Sequence, residues 1–100
     1  MQVVEEGHIY LLDSYEDTFP QEIRFISKKD GQMVHDGCTN EELLRVLIDR
    51  MQYLNFKMPC LDNIVVIGDL VSALKTLEHR TLKRTMQGVE GLDVPHKEEI

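Results

Sequence analysis

An α+β fold is predicted, with a small N-terminal antiparallel β-sheet followed by a two-helix antiparallel hairpin whose second helix is long. Three observations support it. Aromatic and branched residues dominate short stretches before residue 36. An Asp30-Gly31 pair sits between two of those stretches. After Thr39 the apolar residues switch to helical spacing.

Each element follows in order. His8-Ile9-Tyr10-Leu11-Leu12-Asp13-Ser14-Tyr15 reads as a strand, and Thr18-Phe19-Pro20 breaks it. Glu22-Ile23-Arg24-Phe25-Ile26-Ser27 alternates as a second strand, with Ile23 and Phe25 on one face. Asp30-Gly31 is a tight turn, and Gln32 to His35 forms the return strand. The sheet therefore covers about residues 8–36. Thr39-Asn40-Glu41-Glu42 fits a capping box, in which Thr39 caps the first free amides and Glu42 reaches back. Leu43, Leu44, Leu47, Ile48, Met51 and Leu54 then recur at helical spacing, predicting a first helix over about 40–54. Asn55 to Pro59 reads as a short loop.

A second helix begins near Leu61 and carries Ile64, Ile67, Val71, Leu74, Leu77 and Thr81 on one side. Gly88 supplies its stop, so the helical hairpin covers about 39–88. At ~1.5 Å per residue the second helix is roughly 40 Å long, more than its own chain can cover. Its far end must protrude or meet another subunit. Residues 1–91 are thus expected as one domain, with 92–100 a flexible acidic tail. No internal repeat or low-complexity block interrupts them.

Composition narrows the function. At 100 residues, the chain has one domain's worth of sequence, and association between copies is the natural remedy for so small a core. The longest apolar run, Ile64 to Ile67, is far short of a membrane span, and the acidic start lacks a signal-peptide pattern. A soluble, cytoplasmic protein with no membrane partner is expected. The formal net charge of −7 disfavours DNA or RNA, whose many phosphates call for a basic surface. A small ligand with one or two phosphates needs only a local pair of cations. Cys38 and Cys60 read as reduced thiols rather than a disulfide.

No glycine-rich phosphate loop, dinucleotide fingerprint or nucleophile elbow is present, so no catalytic residue is assigned. His8, His35, His79 and His96 are scattered without zinc-ligand spacing, and no metal or cofactor is expected. Glu41-Glu42 resembles the acidic helices of small nucleotide pyrophosphatases, but those enzymes need further carboxylates to hold magnesium. Asp69 and Glu78 are too far apart to share one ion. Arg80 and Arg84 lie one turn apart and can fork onto neighbouring phosphate oxygens. Cations near a helix C-terminus are also favoured by its macrodipole alone. Tyr53 and Asn63 bracket the interhelical loop, an aromatic face and an amide of the kind a purine requires. Packing of the hairpin by Tyr53 and capping by Asn63 are the alternatives. In one hairpin the two pairs lie roughly 25 Å or more apart, so one ligand could join them only in a pocket between subunits.

The residues Gly37-Cys38-Thr39-Asn40-Glu41-Glu42-Leu43-Leu44, Leu47-Ile48-Asp49-Arg50, Cys60-Leu61-Asp62-Asn63, Ala73-Leu74, Leu77-Glu78 and Arg80-Thr81 resemble a known family, as do Arg84 and the closing Gly88-Val89-Glu90-Gly91. The family is the Thoeris anti-defence sponges of phages, which share a helical-hairpin domain with the anti-CBASS sponges. The similarity covers residues 36–91, and the Arg80-to-Gly91 string is its most specific part. The resemblance implies a non-catalytic protein of the infected bacterial host's cytoplasm that sequesters a cyclic ADP-ribose isomer, such as glycocyclic ADP-ribose, and so withholds it from the Thoeris effector. It implies that Tyr53 stacks on adenine, Asn63 assists, and Arg80 and Arg84 hold the phosphates in a pocket shared between subunits. It also implies a homo-oligomer, dimer or hexamer, and in some relatives a second site for cyclic di- or trinucleotides. Gln87 stands where a further arginine is expected, Asp62 replaces the usual glutamate, and Tyr53-Leu54 replaces the usual glycine-phenylalanine. A helical-hairpin adaptor or inhibitor of a host enzyme is the competing reading.

Overall fold

The computed structural model describes residues 1–16 and 18–88. The expected tail at 92–100 lies outside them. Two compact units divide the chain, one holding Met1–Thr39 and the other beginning at Asn40 with both helices. The α+β fold class is borne out.

The first unit contains β1 (Gln2–Glu5), β2 (Ile9–Leu12), β3 (Gln21–Arg24), β4 (Ser27–Lys29) and β5 (Gln32–His35). They form two antiparallel sheets rather than one: β1-β2-β3, and β4-β5. The single strand expected over 22–27 divides at Phe25 and Ile26. Phe25 makes a parallel bridge to Cys38, and the Ile26 amide donates to the Cys38 carbonyl at 3.0 Å. That return of the chain takes the backbone bonds that would otherwise have continued the strand.

β2 ends at Leu12, short of the expected Tyr15, because side chains there compete for the backbone. The Ser14 hydroxyl accepts from the Thr18 amide at 2.8 Å, and Asp13 pairs with the Met1 ammonium. β1 was not expected from the sequence. Its adjacent valines, Val3 and Val4, do not alternate with polar residues, and all four of its positions are exposed. Pairing with β2, through a bulge between Val3 and Glu5, defines it. The Asp30-Gly31 turn is as expected: both residues have positive φ, 53° and 76°, and join Lys29 to Gln32.

Ile9 is the buried apolar residue of this unit among the described residues. Tyr10 opposes Ile23 across β2 and β3. Its ring meets Phe25 edge to face at 5.9 Å, a favourable aromatic geometry. Gly37 is the tightest point. A Cβ there would stand 2.2 Å from the Arg24 carbonyl oxygen, so no larger residue fits without moving backbone.

The second unit contains α1 (Asn40–Lys57) and α2 (Leu61–Met86), packed as a hairpin. α1 runs three residues beyond the expected end at Leu54. Nothing stops it until Pro59, which disfavours helical backbone at Met58. Leu43, Leu44, Ile48, Met51 and Leu54 are half-buried, as are Ile67, Leu70, Val71, Leu74 and Leu77. Two helices alone can cover only one stripe on each other. Ile64, expected on the packed side of α2, is 55% exposed because it sits at the stripe's edge beside the loop. Arg45 of α1 bridges Glu42 at 3.1 Å and Glu78 of α2 at 3.5 Å. α2 ends as expected at Gly88, whose φ of 73° gives the left-handed stop and whose amide donates to the Thr85 carbonyl.

Two glycine substitutions should move stability in opposite directions. Gly37→Ala should lose about 1–3 kcal/mol through forced overpacking. Gly68→Ala should gain up to about 1 kcal/mol, since a Cβ there meets nothing within 4 Å in the middle of α2. Urea denaturation followed by circular dichroism would read both.

Candidate functional site: the two ends of the helical hairpin

Tyr53 lies in the penultimate turn of α1, between the packed Met51 and Leu54, on the face turned away from α2. It is 53% exposed and does not pack the hairpin. Lys57, one turn on, places its Nζ 5.6 Å from the centre of the Tyr53 ring. Asn63 is half-buried in the first turn of α2. Its Nδ2 donates to the Met58 carbonyl at 3.4 Å, so it ties the loop back instead of capping the helix. Asn55 holds the other side of the loop, its Oδ1 accepting from the Cys60 amide at 3.1 Å. Cys60 occupies the N-cap in extended backbone without a side-chain cap bond. The three-residue link is thus pinned from both helices by asparagine side chains. An asparagine amide offers two hydrogens and an acceptor oxygen, so the Met58 bond uses one part of what Asn63 can present to a base edge.

Arg80 and Arg84 occupy the far end of α2, one turn apart. They are not equally presented. Arg80 is exposed, whereas Arg84 is 5% exposed and is the buried charged residue among those described. Burial of a guanidinium is tolerated only with compensating partners, and it fixes the direction in which the group points. Seventeen residues of helix separate Asn63 from Arg80, about 25 Å at the helical rise. Tyr53 and Asn63 at the loop end and the arginine pair therefore do not converge within one chain.

Both cysteines are free, with Cys38 half-buried and Cys60 exposed. Among the described residues no group of three or more His, Cys, Asp or Glu side chains could hold a metal ion. No described helix is long and apolar enough to cross a membrane. Sequence reasoning missed Lys57. Its i, i+4 spacing from Tyr53 was a readable signal, because helical side chains lean toward the N-terminus and cover the preceding turn.

A helical hairpin with an exposed aromatic at its tip and an arginine pair at its far end defines a candidate ligand-binding scaffold. The comparisons give that class a more particular relative. Over 57 residues, 56% of its length, this chain is 40% identical to "Thoeris anti-defense 1" of Bacillus phage SBSphiJ7. The resemblance to the Thoeris anti-defence family is borne out by this similarity. The match spans 40% of the relative's own length. No protein-family model matches the chain, and no solved structure matches it.

The geometry separates the exposed Tyr53 from the loop-holding Asn55. Tyr53→Ala should change stability by no more than about 0.5 kcal/mol, because the ring is exposed. Asn55→Ala should lose about 0.5–1.5 kcal/mol with its loop-pinning bond. Thermal melts of the two variants would distinguish them.

Proposed function

We propose that this chain is a phage counter-defence protein that acts against Thoeris by binding and sequestering a cyclic ADP-ribose isomer, such as glycocyclic ADP-ribose, without cleaving it. The observation that carries the reading is the similarity to the Bacillus phage Thoeris anti-defense 1 protein. Support comes from the positions of four residues. Tyr53 offers an exposed aromatic face for adenine, and Asn63 offers an amide for the base edge. Arg80 offers an exposed, charge-assisted donor for a phosphate, and Arg84, one turn on but enclosed, would join it by opening toward the ligand. The separation along α2 requires that the tip of one copy meet the arginines of another, as in an antiparallel two-fold dimer. Exposed apolar side chains on the helices, among them Phe56, Leu61, Val65 and Leu82, are available for such association. In this reading the protein works in the infected cell's cytoplasm, needs no cofactor, and is a homo-oligomer, dimer or hexamer. A further site for cyclic di- or trinucleotides of CBASS belongs to the same proposal.

The uncovered apolar surface equally suits an adaptor or an inhibitor of a host enzyme, and one experiment separates the two. Calorimetry with glycocyclic ADP-ribose should show tight binding, with the ligand recovered unchanged after heat denaturation. Arg80→Ala and Arg84→Ala should each weaken binding by about 1.5–3 kcal/mol, the worth of a hydrogen bond to a charged group. Melting curves would confirm that the Arg84 variant is folded. Native mass spectrometry should show dimers or larger particles. Recovery of a linearised product would indicate a hydrolase. Absence of any small-molecule affinity, with a host protein captured instead, would establish the adaptor.

A further inference from the structure

We propose that Lys57 is a displaceable cover of the Tyr53 ring, which yields its place to a purine and then turns to the ligand's anionic oxygens. This inference rests on the sequestration reading and adds a third cation to it, on the base side of the ligand. Three observations carry it. The ammonium stands 5.6 Å over the ring centre, on the surface that a stacked base would use. Both side chains are exposed, so the contact is an open one that solvent competes for and a ligand can replace. Lys57 also ends α1, where the helix dipole favours a positive charge and no further helical turn restrains the side chain.

The chemistry is an exchange. In the free protein the ring's negative face is shielded by the ammonium. Stacking of a purine removes that contact and replaces it with a larger apolar one. The lysine keeps its attachment one turn from the ring, so the released charge stays within side-chain reach of whatever lies beyond the base. For a nucleotide that is sugar and phosphate oxygen; for a bare nucleoside there is no anion to meet. Lys57 therefore makes the tip of the hairpin select a phosphorylated purine over its nucleoside.

The test uses the full chain with Lys57→Met, Lys57→Arg and Tyr53→Ala. In NMR spectra of the free protein, ring current should shift the Lys57 ε-methylene protons upfield. Saturation with glycocyclic ADP-ribose should return them toward their ordinary position. Lys57→Met should weaken that ligand three- to tenfold and leave adenosine unchanged or slightly tighter. Lys57→Arg should keep wild-type affinity. The proposal is overturned if the methylene stays upfield in the complex, if both ligands weaken alike in Lys57→Met, or if neither changes. A wild-type chain that does not bind glycocyclic ADP-ribose overturns this inference and the sequestration reading together. Binding that depends on Arg80 and Tyr53 but ignores Lys57 overturns this inference alone.

Discussion

The length of α2 is the constraint on which the second unit depends. Its 26 residues run without a proline, against only 18 in α1. A straight helix fixes the distance between its ends at about 1.5 Å per residue, so groups at the tip and at the far end are held apart permanently. The same two-helix arrangement limits packing. Each helix can hide one stripe, which leaves Leu43, Met51, Leu70 and Leu74 half-buried and Val65, Phe56 and Leu82 uncovered. Function and stability therefore face a shared condition. A ligand much shorter than α2 cannot touch both ends of one hairpin at once.

Charge is distributed in keeping with that geometry. The chain is acidic overall, with a net charge of −7. Yet its helices begin with Glu41, Glu42 and Asp62 and end with Lys57, Lys83 and Arg84. Each placement complements the helix macrodipole. In an antiparallel pair the end of one helix lies beside the start of the other, so Lys57 shares the tip with Asp62, and Lys83 and Arg84 share the far end with Glu41 and Glu42. Dipole complementarity and anion binding call for the same side chains, which is why the basic cluster alone could not decide between them. Arg45 plays another part, linking Glu42 and Glu78 in an exposed network that contributes little to stability but marks where the helices run side by side.

Much of the fold was legible from local rules. Helical spacing from Leu43 onward, the Asp30-Gly31 turn and the Gly88 stop each have a physical cause confined to a few neighbouring residues. What escaped depended on contacts distant in sequence. β1 is defined by its pairing with β2, and the strand through Phe25 is cut by a bridge to Cys38, thirteen residues on. The end of α1 was misplaced because the polar Asn55 looked like loop, whereas its side chain serves the Cys60 amide from within the helix. The candidate residues were legible as positions. Their presentation was not: spacing put Arg80 and Arg84 on one face without revealing that one is open and the other enclosed. Tyr53 likewise gained its meaning from a lysine one turn away.

The link between the helices has a kinetic consequence. Only Met58, Pro59 and Cys60 separate α1 from α2. Closing so short a loop sacrifices little chain entropy, and contacts near it join residues close in sequence. The hairpin can therefore zip from this turn outward, with Leu54 and Ile67 engaging before the Arg45–Glu78 pair at the opposite end. Short-range closure thus favours order that starts at the turn and reaches the outermost helical residues last.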